Sequence, residues 1–557
     1  MSAITNLGDA YVEELAALHP NAATSLGISG HEEELTDYSR DGFDQRDQLT
    51  RNTLARLEDL PLEENGDRLL REIMREVLTV DIELHETGDY LAGLNVLASP
   101  LQGLRSTFDL MPTEGEADWA TIARRLTRLP EALAAYRTTL EAGLETGRSA
   151  PRRQVEACLR QCEAWAGNGD GGFFEKFVSG AGNDLSEGLH RDLGKAASSA
   201  SQSYRAFGQF LRDVYLPRAS EQDATGRERY SLYARSWNRC DLDLLETYSW
   251  GWDEIARIDT SMEEAAEQIA PGEGVEAAKV VLDTDPKRAI EGVEPFRQWM
   301  QELQERTIAD LNGKHFDIPK KLQRLEAMIA PPGGALAMYY TGPSEDFSRP
   351  GRTWYPTGGK TRFPLWGEVS IAYHEGVPGH HLERGNTRLL ELSRFQRLLG
   401  DCSGYVEGWA LYAERLMGEL GYLDSPDYQM GLLRSQALRS VRVIIDIGMH
   451  LELPLPESQQ FHPGEHWTPE LGAEFAKTRS HFPADFMTSE IDRYLGLPGQ
   501  AISYKVGERA WLAARDSARQ SLGDAFDLTT FHRQTLALGP MGLGLLTQES
   551  AHLGNNS

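Results

Sequence analysis

A proline stands where a metal-binding helix would place its second histidine. In Tyr373-His-Glu-Gly-Val-Pro-Gly-His-His-Leu-Glu383, three histidines and a glutamate are interleaved with two glycines and Pro378. A hydrolase helix of this kind needs two histidines converging on an ion, with a glutamate beside the first to take a water proton. At the usual i, i+4 spacing one helix face carries both, but the fourth residue after His374 is Pro378. Proline has no N–H for the His374 carbonyl, and its ring crowds that carbonyl. A regular helix is therefore expected to bulge here, helped by the backbone freedom of Gly376 and Gly379.

The bulge decides which histidine can join His374. On an ideal helix at ~100° per residue, His380 lies ~120° around from His374, and a widened turn swings it back. His381 falls near the right face but ~10 Å farther along the axis. His374 and His380 are thus the expected ligands, with His381 a substitute or an outer, substrate-side residue. Zinc in a hydrolase takes three protein ligands and keeps one position open. Glu407, on a later helix, is the candidate third ligand, and Glu375 the general base. Other divalent metals suit the same donors.

Bulk properties narrow the partners. With 557 residues, 40% of them hydrophobic, the chain is long enough to bury a large core. Its net charge of −29, from 85 acidic against 56 basic side chains, argues against a nucleic acid or an anionic membrane as partner. The four cysteines, Cys158, Cys162, Cys240 and Cys402, offer no Cys₄ site and suit a reducing compartment. The N-terminal residues have no basic segment followed by an apolar one, and no run is apolar enough to span a bilayer. A cytoplasmic monomer or homodimer acting on a peptide or small molecule is the expectation.

Periodicity makes the fold mainly α. Leu70, Ile73, Met74, Val77 and Leu78 form one 3.6-residue stripe, and Trp119, Ile122, Leu126, Leu129, Leu133, Tyr136 and Leu140 another that Pro130 should break or kink. The glycine-rich run Gly167–Gly172 lacks the Lys-Ser/Thr of a phosphate loop, and Gly359-Lys-Thr361 lacks the upstream glycine of a Walker motif. After Pro319, turn residues around short aromatic segments such as Ala335–Tyr340 predict a small sheet, whose edge strand would suit a peptide backbone. Helix is expected again from Pro364, from Gly404 and from near Met430, with an irregular stretch between Leu451 and Thr468. No linker separates domains, so residues 1–557 read as one domain with a helical half (1–315) and a metal-binding half (316–557).

His374–His381 and Tyr405-Val-Glu-Gly-Trp-Ala-Leu-Tyr412 together resemble a bacterial family catalogued as domain of unknown function family 885. The likeness extends through Pro343–Gly351, Arg442–His450, Pro498–Lys505 and Phe531-His532, nearly the whole chain. It implies a zincin whose third ligand is a glutamate, similar to the carboxypeptidase Taq metallocarboxypeptidases. Those have a large helical body, a deep cleft and a small antiparallel sheet beside one zinc. Aligning the Gly-His ends of the motifs again selects His380. Tyr504 and His450 lie in the shared motifs and are candidate oxyanion donors, while Arg349, Arg439 and Arg442 are candidates to bind a substrate carboxylate. Trp409 and Tyr412 read as packing, and Glu414 as an exposed charge, with the orientation of a histidine ligand as its alternative role. The function implied is a zinc metallopeptidase of carboxypeptidase type. The alternatives are a zinc amidase or esterase, or a binding protein with a closed metal site.

Overall fold

The computed structural model of the chain describes every residue except 65, 168–170, 183, 331–336, 345–346 and 554–557. Parts of the Gly167–Gly172 loop, of the Ala335–Tyr340 segment and of the Pro343–Gly351 motif therefore lie outside the described residues. The protein is mainly α, as the periodicity predicts, with a few short strands. Among the described residues, no helix is long and apolar enough to cross a membrane.

The chain forms two compact units, one of residues Met1–Leu232 with Thr488–Pro498, the other of Tyr233–Met487 with Gly499–Ser557. In the first, the long helix Glu187–Phe210 packs against the helices Glu116–Leu126, Leu129–Glu145 and Arg152–Ala166. The stripe from Trp119 to Leu140 foreseen in the sequence faces this core. Ile122, Leu126, Tyr136 and Leu140 are all fully buried, and Tyr136 stacks on Phe207 at 5.5 Å. Pro130 sits in the first turn of Leu129–Glu145, where its missing N–H has no helical partner to lose. Cys158 and Cys162, one turn apart, are buried free thiols of the same core.

The second unit is built around the helix Pro426–Leu451, in which every residue from Ser435 to His450 is buried. A helix covered all round is a central helix. It packs on Leu244–Ile269, while Ser403–Glu419 packs on Ser503–Leu522. The latter crossing is a backbone contact. Gly404 and Gly408 on one helix face Gly507 on the other, and a Cβ at Gly507 would collide with the Gly404 carbonyl and come within 2.6 Å of the Gly408 Cα. Glu407 is thereby seated next to the point of closest helix approach.

The strands lie in this unit. Leu325–Ile329, Gly351–Tyr355 and Tyr339–Thr341 form a three-stranded sheet with Gly351–Tyr355 in the centre, parallel to the first and antiparallel to the last. Ala289–Glu291 pairs antiparallel with Arg362–Pro364. Pro364 thus ends a strand rather than opening a helix, which begins at Val369.

Candidate metal centre

In place of a bulged helix, the motif makes a clean break. One helix runs Val369–Glu375 and the next His380–Leu389, separated by Gly376–Gly379. The chain doubles back tightly enough for the Gly379 amide to reach the Tyr373 carbonyl at 3.0 Å and the His381 amide the Gly376 carbonyl at 3.1 Å. A Cβ at Gly379 would collide with the carbonyl oxygens of Tyr373 and His374, so this return requires glycine. Pro378 forbids the helix, and Gly379 permits the fold-back.

The return brings the ring centroids of His374 and His380 to 4.7 Å, nearly perpendicular. The Glu407 carboxylate faces both, with Oε2 3.4 Å from Nε2 of His374 and 3.7 Å from Nε2 of His380. Ligand atoms of His374, Glu375 and His380 also lie within 4.8 Å of one another. Four predicted site residues therefore converge on one point. Tetrahedral zinc with bonds of ~2.0–2.1 Å holds neighbouring ligand atoms ~3.3–3.4 Å apart, close to the separations around Glu407 Oε2. That oxygen is buried with no hydrogen-bond partner among the described residues, an arrangement that a cation resolves. The donor set fits zinc.

Electrostatics point the same way. Burial opposes a charge on His374, yet the carboxylates of Glu407 and Glu414, one facing each ring nitrogen, outweigh it and push its pKa up to about 10. Burial instead pushes His380 down to about 3, reinforced by the charge on His374. Burial raises Glu375 to about 7. At half-buried Glu407, desolvation is outweighed by His374 and His380, which draw its pKa down to about 2. The pocket thus favours one positive charge held between imidazole and carboxylate.

Glu414 corrects its sequence reading. It is fully buried rather than exposed, and His374 donates Nδ1–H to its Oε1 at 2.8 Å. With an ion bound, that bond would keep the ring proton on Nδ1 and leave Nε2, the nitrogen facing Glu407, as the donor, the tautomer a ligand needs. Arg439 stands behind, its Nη2 3.9 Å from the same Glu414 oxygen.

His381 turns elsewhere. Its Nε2–H donates to the Leu322 carbonyl at 2.9 Å, and its Nδ1 accepts from the Tyr340 hydroxyl at 3.0 Å. With both nitrogens engaged, it joins the motif to the sheet, and a Cβ at Gly351 would meet the ring at 2.5 Å. Of the remaining candidates, Arg439 and Arg442 lie over the Tyr504 ring at 5.9 and 4.7 Å. His450 is fully buried in the last turn of its helix, with Asp446 at 3.8 Å, and lies ~16 Å of helical rise beyond Arg439. Arg349 holds its own loop, donating from Nη2 to the Gly342 carbonyl at 2.9 Å. The sequence reading missed the Leu322 carbonyl and Tyr340, which no spacing rule marks. It also missed the indole N–H of Trp409, which donates to the Pro378 carbonyl at 2.9 Å.

Two solved structures share this fold over essentially their whole length. One, described as a "putative lipoprotein" from Colwellia psychrerythraea, superposes with a TM-score of 0.84 at 21% identity, covering 100% of this chain and 99% of its own. The other, a "putative lipoprotein of unknown function" from Shewanella oneidensis, gives 0.75 at 16%, covering 99% and 100%. A carboxypeptidase from Pyrococcus furiosus overlaps at a TM-score of 0.43 and 11% identity, covering 100% and 96%, too remote to bear on activity. No curated protein matches the sequence. These descriptions correct the cytoplasmic placement expected from the N-terminus and the few cysteines, because both structures of this fold are described as lipoproteins. The family model described as "Bacterial protein of unknown function (DUF885)" matches residues 20–549, and the chain belongs to that family.

Proposed function

We propose that this chain is a zinc-dependent hydrolase that cleaves peptides, acting in the manner of a metallocarboxypeptidase. The observation that carries the reading is the meeting of His374 Nε2, His380 Nε2 and Glu407 Oε2, with the Glu375 carboxylate beside them. Held by these three side chains, the ion would supply Lewis acidity, polarising a carbonyl and lowering the pKa of a water. The chain's own groups do the rest. Glu375 takes the proton of the attacking water and returns it to the leaving amine. Glu414 keeps the His374 proton on Nδ1, and burial of His374, Glu375 and His380 limits the water that reaches them. Arg439 and Arg442, three residues apart on the central helix and flanking Tyr504, form a cationic group suited to a terminal carboxylate, which favours chain ends as substrate.

The test is turnover of a dipeptide and acyl-peptide panel by zinc-loaded protein beside Glu375→Gln. The variant should bind one zinc per chain and lose turnover by several orders of magnitude. Turnover surviving in the variant would refute the mechanism, and failure of the unaltered chain to bind zinc would refute the metal.

A further inference from the structure

Trp409 follows Glu407 by two residues on Ser403–Glu419 and is fully buried. Its ring lies against Trp511, Tyr412 and Phe316, with centroids at 4.8, 5.5 and 6.4 Å, the packing role expected of it. Its N–H has a separate task. Besides the bond to the Pro378 carbonyl, Nε1 reaches the Gly379 carbonyl at 3.3 Å, so it holds the two residues immediately before His380. The Gly379 carbonyl also receives the amides of Leu382 and Glu383, at 3.1 and 3.2 Å, whereas no main-chain amide among the described residues is bonded to the Pro378 carbonyl. The indole satisfies that carbonyl.

We propose that Trp409 is a positioning residue for the metal centre. Its indole N–H pins the Gly376–Gly379 turn to the helix carrying Glu407, and so fixes the spacing between His380 and Glu407. The inference rests on the metal reading above. The physical case is that the turn contains two glycines and is followed at once by a ligand. Unpinned, it samples backbone states in which His380 faces away from Glu407. Each such state lowers the population competent to bind an ion. The same helix then supplies one ligand directly, through Glu407, and locates a second, His380, through Trp409. Outer-layer bonds of this kind are worth 10–100-fold in metal affinity as an order of magnitude.

Trp409→Phe keeps a ring and removes the donor. Trp511→Phe is its control, since Trp511 packs against Trp409 and donates its own N–H to the Tyr405 carbonyl at 3.1 Å, away from the turn. Zinc affinity is read by competition with a chromophoric chelator, and ligand geometry by the visible spectrum of the cobalt-substituted protein. The expected result is zinc bound about tenfold or more weakly by Trp409→Phe, with an altered cobalt spectrum, and near-unchanged values for Trp511→Phe. Unaltered affinity and spectrum in Trp409→Phe would overturn the proposal, as would an equal loss in both variants, which would make the effect one of core packing. Should Trp409→Phe fail to fold, benzothienylalanine at position 409, with sulfur in place of the N–H, makes the same comparison at nearly constant shape. If the unaltered chain binds no zinc, the metal reading falls and this inference falls with it, an outcome separate from tight binding by the variant.

Discussion

Replacing Gly507 by alanine should separate the effects of helix propensity and of helix contact, because the two oppose each other there. In a helix interior alanine is favoured over glycine by about 1 kcal/mol. At Gly507, however, the new Cβ would come within 2.6 Å of the Gly408 Cα and collide with the Gly404 carbonyl, whereas ordinary contacts are 3.4–4 Å. Neither partner is a side-chain tip that can rotate away, so the two helices must move apart by ~1 Å, an overpacking of about 3 kcal/mol at the upper end of the usual range. The net expectation is destabilisation by about 2 kcal/mol. Gly408 adjoins Glu407, so the displacement should also weaken zinc binding, since a misplacement of ~1 Å costs catalytic sites as much as ~100-fold. Gly194 is the counter-case, lying exposed in the helix Glu187–Phe210 with nothing within 4 Å of its Cβ position. There the same substitution should stabilise by about 0.5–1 kcal/mol. Urea unfolding of both variants, with m-values compared to exclude a change in denatured-state compactness, reads the signs. A Gly507→Ala protein as stable as the unaltered chain, with undiminished zinc affinity, would refute the close crossing as the element that seats Glu407.

Two further outcomes follow from the site and its surroundings. His381→Leu should keep one zinc per chain but unfold more easily, having lost its bonds to Leu322 and Tyr340, whereas His380→Leu should lose the metal; isothermal zinc titration of the pair distinguishes them. Glu254 gives a pH signature: burial opposes its charge, yet hydrogen bonds from Arg257 and Lys505 hold its pKa at about 2. Because the folded value lies below the unfolded one of ~4.3, its contribution is complete above that pH and is lost as pH falls toward 2. Glu254→Gln should thus be less stable by on the order of 3 kcal/mol at neutral pH, with the gap narrowing below about pH 4.5. A gap of constant size across pH 3.5–7, measured by urea unfolding, would count against the assignment.

What the sequence revealed, and what it concealed, divides along the range of the interactions. The helical class was legible because apolar stripes such as Leu70–Leu78 are local, and burial follows periodicity with little ambiguity. The metal candidates were legible because histidine and glutamate have few reasons to cluster around a helix-breaking proline. The exact form of the break was not. A bulge and a full interruption both relieve Pro378, and the choice lies in whether the Gly379 amide can fold back onto Tyr373, a contact that residue types alone do not fix. Glu414 was misread for a related reason. Its position on the Glu407 helix looks like a solvated charge until the neighbouring helix supplies His374 Nδ1, and a carboxylate is buried only when such a partner exists. His380 and His381 are adjacent in sequence and cannot be told apart by residue type. They part because one follows the turn toward Glu407 while the other meets a carbonyl and a hydroxyl on either side of its ring. Trp409 carries the point furthest, since its ring could be placed by pattern, but its N–H acquires meaning only against the Pro378 carbonyl. The helix break at Pro378 thus leaves a carbonyl through which the indole ties the Glu407 helix to the turn before His380.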